Sequence, residues 1–384
     1  MSKYILAGVL AALGASSAQA VDIKAGDWTV SVGGIVNAYY TTVSCSGDAI
    51  GGLALGAQTL GCGGEGDRTT IGNGLLPNAL IASASTSNGG YDVKALVGIY
   101  NSTATDSAIG QNSVVDVRQA YFTFGNAGIG TIKLGRDYGI FGLNAILGDM
   151  TLMGAGAPVQ ATQRGRVTLG HIGAGYTWPG NYGQISYSLP KTSSGIGFDI
   201  GLMSPVFDTP IVAGARYRSK SSPQLQAQVS MSGENYKAWL SGKAQRFESA
   251  TPGLGDVTMR GIEVGASYTM GQIGLLGNVQ AGKALGILSD ADQGDTKTKN
   301  YFVQGTYKTS DKLKLGISYG LSKNDDDTAG AAGLKSNANL TVGAYYSLNT
   351  LITLVGEVGQ TRSKAFNGQK AHMNGVALGG IIFF

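Results

Sequence analysis

Apolar and polar positions alternate along most of this 384-residue chain. Gln224–Ser232 shows the pattern cleanly. Leu225, Ala227, Val229 and Met231 fall on one side, Gln224, Gln226, Gln228 and Ser230 on the other. A period of two is that of a β-strand, whose successive side chains point to opposite faces. The same alternation predicts strands over Trp28–Thr41, Asn78–Thr86, Tyr91–Tyr100, Val115–Phe124, Thr131–Arg136, Gln184–Leu189, Gly197–Met203 and Ile211–Arg218. It continues over Tyr236–Phe247, Val257–Met270, Ile273–Leu285, Asn300–Thr309, Leu313–Ser322, Leu340–Leu348, Leu351–Thr361 and from Met373 to the end. Asn88-Gly89-Gly90, Ser310-Asp311-Lys312 and Asn349-Thr350 read as tight turns between neighbours. The last strand ends flush on Phe384, with Val376, Leu378, Ile382 and Phe384 on one face. That ending suits a sheet that must close in lipid, where an unpaired edge has no water to bond.

These segments imply an all-β fold, a transmembrane antiparallel β-barrel. The candidates number about 17, and bacterial single-chain barrels have an even count. If 204–223 is one external loop with Ile211–Arg218 folded into it, the barrel has about 16 strands; an extra pair formed with Val167–Trp178 gives the alternative of about 18. Length favours the smaller number. Long external loops are expected at 249–256, 286–299, 324–336 and 362–371. One face of each strand carries Val, Leu, Ile, Ala and aromatics and should meet lipid. Tyr39, Tyr40, Tyr121, Phe122, Phe124, Tyr307, Tyr345, Tyr346 and Phe384, near strand ends, read as an interfacial aromatic girdle. A barrel this wide cannot be filled by its own side chains, so its lumen should be aqueous.

Composition agrees. Glycines number 62 and charged residues make up 14%, while mean hydropathy is near zero. No apolar run after the N-terminus is long enough for a transmembrane helix. Residues 1–20 read as a secretory signal: Lys3, an apolar stretch from Ile5 to Ala15, and Ala18-Gln19-Ala20 as the cleavage site. The barrel would then occupy residues 21–384. The formal net charge of +4 falls by one when Lys3 is lost. Cys45 and Cys62 are the only cysteines. In an oxidising compartment they are expected to pair across a Gly-rich loop.

The longest interruption runs from Asp137 to about Gly183. Outside the barrel it would expose Phe141, Leu143, Ile146, Leu147 and Met153 to water. Folded inward it could pack them on the wall and narrow the pore; an external lid is the alternative. Gly135-Arg136-Asp137-Tyr138-Gly139 and the loop after it resemble the general diffusion porins of Gram-negative bacteria. So does Ser186–Gly197, with its Leu189-Pro190 turn and following Phe198. The similarity is to the betaproteobacterial and neisserial type and covers the whole mature chain. The resemblance implies a homotrimer of water-filled barrels in the outer membrane, amid lipid and lipopolysaccharide. It implies a third external loop folded inward, and Phe384 as the signal read by the barrel-assembly machinery. The Pro-Glu-Phe-Gly-Gly constriction motif of enteric members is absent, so their pore residues are not carried over.

The charges can be read directly. Alternation puts Asp92 and Lys94 on the lumen face, with Lys133, Arg216, Arg218, Lys237, Lys243, Lys314, Glu263 and Glu357 on the polar sides of their strands. Arg136 breaks alternation beside Leu134 and is expected at the strand end, turned toward the loop. Lys94, Arg118, Lys133, Arg136, Asp137 and Asp149 are the candidate pore-constriction residues, basic wall groups facing acidic loop groups. Their surplus of positive charge leans toward anions; solvated side chains that merely keep the pore wet are the plainer reading. His171 and His372 are the only histidines and lie far apart. No metal, hydrolase or phosphate-binding motif occurs. The sequence therefore points to a passive channel for small solutes and ions, with no catalytic residue, cofactor or nucleic acid. A substrate-selective channel, or an outer-membrane adhesin or enzyme, is the alternative.

Overall fold

The alternating segments pair into one antiparallel sheet whose last strand returns to its first. The computed structural model describes residues 20–50, 67–103, 115–156, 169–205, 217–218, 222–286, 290–327 and 333–384. The expected signal at 1–20 lies outside the described residues save for Ala20. The strands are β1 Val21–Ala25, β2 Trp28–Gly47, β3 Arg68–Gly72, β4 Asn78–Asn88, β5 Tyr91–Asn101, β6 Asp116–Asn126, β7 Gly130–Tyr138, β8 Asn181–Ser188, β9 Ile196–Met203 and β10 Tyr217–Arg218. They continue as β11 Gln224–Ser232, β12 Tyr236–Ser249, β13 Val257–Met270, β14 Ile273–Lys283, β15 Lys297–Lys308, β16 Leu313–Asn324, β17 Leu334–Ser347, β18 Ile352–Ala365 and β19 Lys370–Phe383.

These nineteen segments make a closed 16-strand barrel. The two counts agree because three wall positions are each built from two segments. β3 and β4 follow one another along β2. β10 and β11 follow one another along β12, which settles the 204–223 question for the smaller count. β19 pairs with β2 from Gly47 down to Ile35, and β1 takes over that edge at Val32. Phe384 completes the seam: its N–H donates to Gly34 O at 3.1 Å and its O accepts from Gly34 N at 2.7 Å.

The register fixes the two faces. Ser241, Glu263, Gln280, Asn300, Ser322, Asn337 and Ser363 form one row of directly opposed, buried polar residues around the inside. Leu240, Val264, Val279 and Tyr301 form an exposed row around the outside. The outer side chains remain exposed because their solvent is hydrocarbon. Tyr40, Phe122, Tyr307, Tyr346 and Phe384 are exposed with them, and Phe124 stacks on Phe122. Tyr39, Tyr121 and Tyr345 leave the expected girdle: each is opposed to lumen residues and faces inward. Alternation alone cannot decide the face where both neighbours are aromatic, as at Tyr39 and Tyr40.

Short turns close one end of the barrel. Gly89 and Gly90 have φ of 58° and 80°, the left-handed pair that a two-residue hairpin needs. The longer connections gather at the other end. The connection expected at 362–371 is the exception, since β18 and β19 extend far enough to leave only residues 366–369 between them. Val264, midway along β13, tests the assignment of faces. Val264→Arg should cost about 2–4 kcal/mol in folding stability, measured by denaturant titration in lipid vesicles. A cost near zero would mean that this face does not meet lipid.

Candidate functional site

The connection from β7 to β8 carries the site. It contains a short helix, α1 (Leu143–Gly148), then a 3-10 turn, Met150–Met153. Gly142 opens the helix at φ 82°, a conformation that favours glycine. Phe141, Ala145, Ile146, Met150, Leu152 and Met153 are all buried. Ala145, Ile146, Leu152, Leu169, Ile172 and Tyr176 form one cluster with Trp239, Leu276 and Phe302 of the wall. Each Leu, Ile or Phe among them contributes roughly 1.5–3 kcal/mol by leaving water.

Polar wall side chains hold the backbone of this connection. Gln226 accepts from Ile140 N at 2.7 Å and Phe141 N at 2.9 Å. Glu263 accepts from Gly142 N at 2.9 Å. Gln304 accepts from Met150 N at 2.6 Å. Glu357 accepts from Ala155 N and Gly156 N at 2.8 and 2.6 Å, and from Tyr345 OH at 2.6 Å. Gln280 accepts from Thr177 N at 2.9 Å, and Asn337 donates to Gly173 O at 2.9 Å. All of these side chains belong to the inner face, so residues 139–156 and 169–180 pack on the inside of the wall. Gly320 makes the approach possible: a Cβ there would lie 1.8 Å from Ala174 O.

Asp149 is placed otherwise than the sequence suggests. It is 3% exposed and faces no basic wall group. It accepts from Tyr176 OH at 2.6 Å and from Thr151 N and Oγ1 at 2.8 Å, and lies 3.0 Å from His171 Nδ1. His171 Nε2 lies 3.4 Å from Ser318 Oγ on β16. Ser318, His171 and Asp149 thus follow the order of a hydrolytic triad, a grouping invisible in a sequence whose histidines stand alone. Access decides against that chemistry. Ser318 and His171 are 1% and 0% exposed, and the Phe302 ring packs 4.8 Å from the imidazole. The three residues tie the two limbs of the connection to each other and to β16.

The other candidates lie on the opposite sector, β5 to β8. Lys94, Thr123, Lys133 and Ser186 are successive cross-strand neighbours on the inner face. Lys133 donates to Asp137, four residues along the same strand, and sits 4.9 Å from the Tyr121 ring centroid. Asp137 also accepts from Gln119 Nε2 at 2.8 Å. Arg118 pairs with Asp116 at 2.9 Å and stacks on Tyr100. Arg136 does not join them. It is opposed to Ala120 and Gly183, on the outer face with Leu134, and is exposed. A strand end does not turn a side chain inward when its register is still intact. Arg218, opposed to Glu248 and exposed, is likewise on the outer face, and Arg216 lies outside the described residues. Cys45 is disulfide-bonded; Cys62, the other cysteine, lies outside the described residues.

A closed barrel of this width with a polar inner face is what a diffusion pore requires. A family model described as Gram-negative porin matches residues 7–365. The chain belongs to the Gram-negative porin family. No curated protein is similar enough in sequence to be matched to it. Among solved structures it resembles the outer membrane channel DcaP of Acinetobacter baumannii, with TM-score 0.71 and 17% identity, covering 94% of this chain and 99% of that one. It also resembles Salmonella typhi OmpF in complex with daunomycin, with TM-score 0.57 and 17% identity over 94% of this chain and 100% of the other. A trimer form of in-vitro folded OmpT of Vibrio cholerae matches with TM-score 0.56 and 15% identity over 93% and 99%. At these identities the likeness shows the fold. The family match makes the porin a passive outer-membrane diffusion channel rather than an enzyme.

Two outcomes follow for the porin's inner connection. Glu357→Ala leaves two buried N–H groups without their acceptor, at about 1–3 kcal/mol each. Single-channel conductance of the folded variant should rise above that of the wild type. Asp149 supplies the pH dependence. Burial pushes its carboxyl up, but His171, Tyr176 and Thr151 more than offset this and hold it below the ordinary carboxylate value. A lowered folded pKa gives stability that is present above the unfolded value of about 3.9 and is lost as pH falls through the folded one. The hold that Asp149 exerts should therefore persist at neutral pH and be lost below the ordinary carboxylate value, so that wild type and Asp149→Asn differ in denaturant resistance at pH 7 and converge at strongly acidic pH.

Proposed function

We propose that residues 139–156 and 169–180 set the narrowest cross-section of the porin, and that solutes pass along the β5–β8 sector opposite. The observation that carries this is the distribution of tethers. They run from β11 round to β18 and on to Tyr39 of β2, whose OH donates to Met153 O at 2.7 Å. Lys94, Arg118 and Lys133 line the sector away from them.

The charge balance favours a weak anion preference. Glu263, Glu357 and Asp149 are engaged by backbone and side-chain donors of the inner connection. Asp116 and Asp137 each hold a cation. Lys237, by contrast, donates to the neutral Asn144, Lys314 lies over the Tyr345 ring, and Lys94 stands with them against Asp92 and Asp199, which accept from Ser87, Ser188 and Gln228. Positive charge is thus left to act on the lumen. Asp137 serves in this reading as the partner that positions Lys133, and Asp149 as a tether.

The porin is exported with residues 1–20 removed, assembles as a homotrimer amid lipid and lipopolysaccharide, and carries a Cys45–Cys62 bridge from the end of β2 to the segment that follows it. Phe384, outward-facing and terminal, is the group read by the barrel-assembly machinery. Purified porin in a planar bilayer under a salt gradient tests the central claim. Conductance steps grouped in threes and a reversal potential of anion-selective sign are expected. Lys94→Gln with Lys133→Gln should shift that potential toward cations, whereas Arg136→Gln should leave it unchanged. A saturable current blocked by one added solute would instead mark a substrate-selective channel.

A further inference from the structure

A second connection also enters the barrel, between β14 and β15. Asp290, Ala291, Asp292 and Gln293 are all buried. Asp290 accepts from Tyr182 OH on β8 at 2.6 Å and from Gln224 Nε2 on β11 at 3.0 Å. Its other oxygen pairs with the ammonium of Lys243 on β12, and both side chains are almost fully buried. Ala291 packs with Phe247, Val257 and Met259 on the inner face of the wall, and with Tyr217. Ala291 N donates to Ala284 O at 3.0 Å, and Ala284 N to Thr296 O at 2.8 Å. Both alanines have positive φ, 58° and 51°, which a residue with a β-carbon adopts only where its surroundings over-determine it. Asp290–Thr296 is therefore held against the wall by an ion pair, two further hydrogen bonds and apolar packing.

Lys243 has a second neighbour. Its ammonium lies 4.9 Å from the centroid of the Phe141 ring, in the connection between β7 and β8. Gly261 on β13 makes room for the meeting: a Cβ there would lie 2.6 Å from Leu285 Cδ1 and 3.2 Å from Phe141 Cζ. One lysine thus faces a carboxylate from one connection and an aromatic face from the other. A desolvated cation is attracted to both.

We infer that Lys243 couples the two connections, and that Asp290–Thr296 is a second determinant of which solutes pass. This rests on the constriction reading above. It assigns Lys243 to positioning, where the sequence offered it only as a wall charge.

Neutral probes separate size from charge. Wild type, Lys243→Met, Asp290→Asn and the double variant are reconstituted after their folded barrels have been isolated. Single-channel conductance is recorded, and liposome swelling is followed with neutral sugars of increasing size. Each single variant should raise conductance about twofold or more and speed the entry of the larger sugars. The double variant should do no more than either single one, because both remove the same pair. Phe141→Leu keeps apolar volume but removes the ring, and should also speed the larger sugars. Wild-type conductance and sugar rates in the folded Lys243 and Asp290 variants would overturn the second determinant. Wild-type rates in Phe141→Leu alone would overturn the coupling. A wild type that passes no ions would fail the channel reading itself.

Discussion

In hydrocarbon a backbone N–H or C=O must find its partner within the protein. The pairing of β19 with β2 meets that demand for the whole chain. It runs from Ala371 opposite Gly47 to Phe383 opposite Ile35, and the Phe384 backbone then bonds Gly34 in both directions. β1 takes over at Val32, so the shorter last strand leaves no gap. Without this seam the sheet would have two edges in lipid. With it, strand number sets the diameter, and a 16-strand wall is too wide to be filled by the side chains it points inward.

That width makes the interior a second folding problem. Water could fill it, as could chain, and here two connections turn in. A connection that leaves water carries its own backbone groups, and these need partners as the strands do. The wall supplies them with side chains: Gln226, Glu263, Gln280, Gln304 and Glu357 each accept from a backbone N–H. Using carboxylates for this task has an electrostatic result. Glu263, Glu357 and Asp149 are engaged in holding chain in place, Lys237 and Lys314 contact the neutral Asn144 and Tyr345, and of the wall acids Asp92 and Asp199 have neutral partners. The proposed anion preference thus rests on the allocation of partners as much as on the count of charges.

Period two made the wall legible. Gln224–Ser232 and Val257–Met270 have the bounds that alternation predicts, because each strand faces two solvents of opposite kind. β1 and β3, five residues each, are too short to show a period. Alternation also says which residues share a face, not which face is inward, so it does not separate Tyr39, Tyr121 and Tyr345, which turn inward, from the aromatics of the girdle. Arg136 differs for a related reason: a place beside the loop suggests a strand end turned toward it, but the register with Ala120 and Gly183 keeps it outside. The contacts of the inner connections were beyond reach. Glu357 and Ala155 are 202 positions apart, and Lys243 and Asp290 are 47. No local pattern encodes such pairs.

The buried Ser318, His171 and Asp149 show why placement must precede chemistry. A histidine between a carboxylate and a hydroxyl can move a proton in a catalytic site, or can clamp three pieces of chain together. The bonds are alike, and the difference lies in whether a substrate atom can approach the hydroxyl. Phe302 packs on the imidazole here, and Ser318 and His171 are both buried, so the arrangement acts on the chain that contains it. The same logic extends to the lumen as a whole. Most of its inner polar residues are as buried as a core, so their first effect is on where the inner connections lie. On the proposed constriction, the bore of the channel is set by wall residues such as Glu357 and Lys243, through the chain segments they hold.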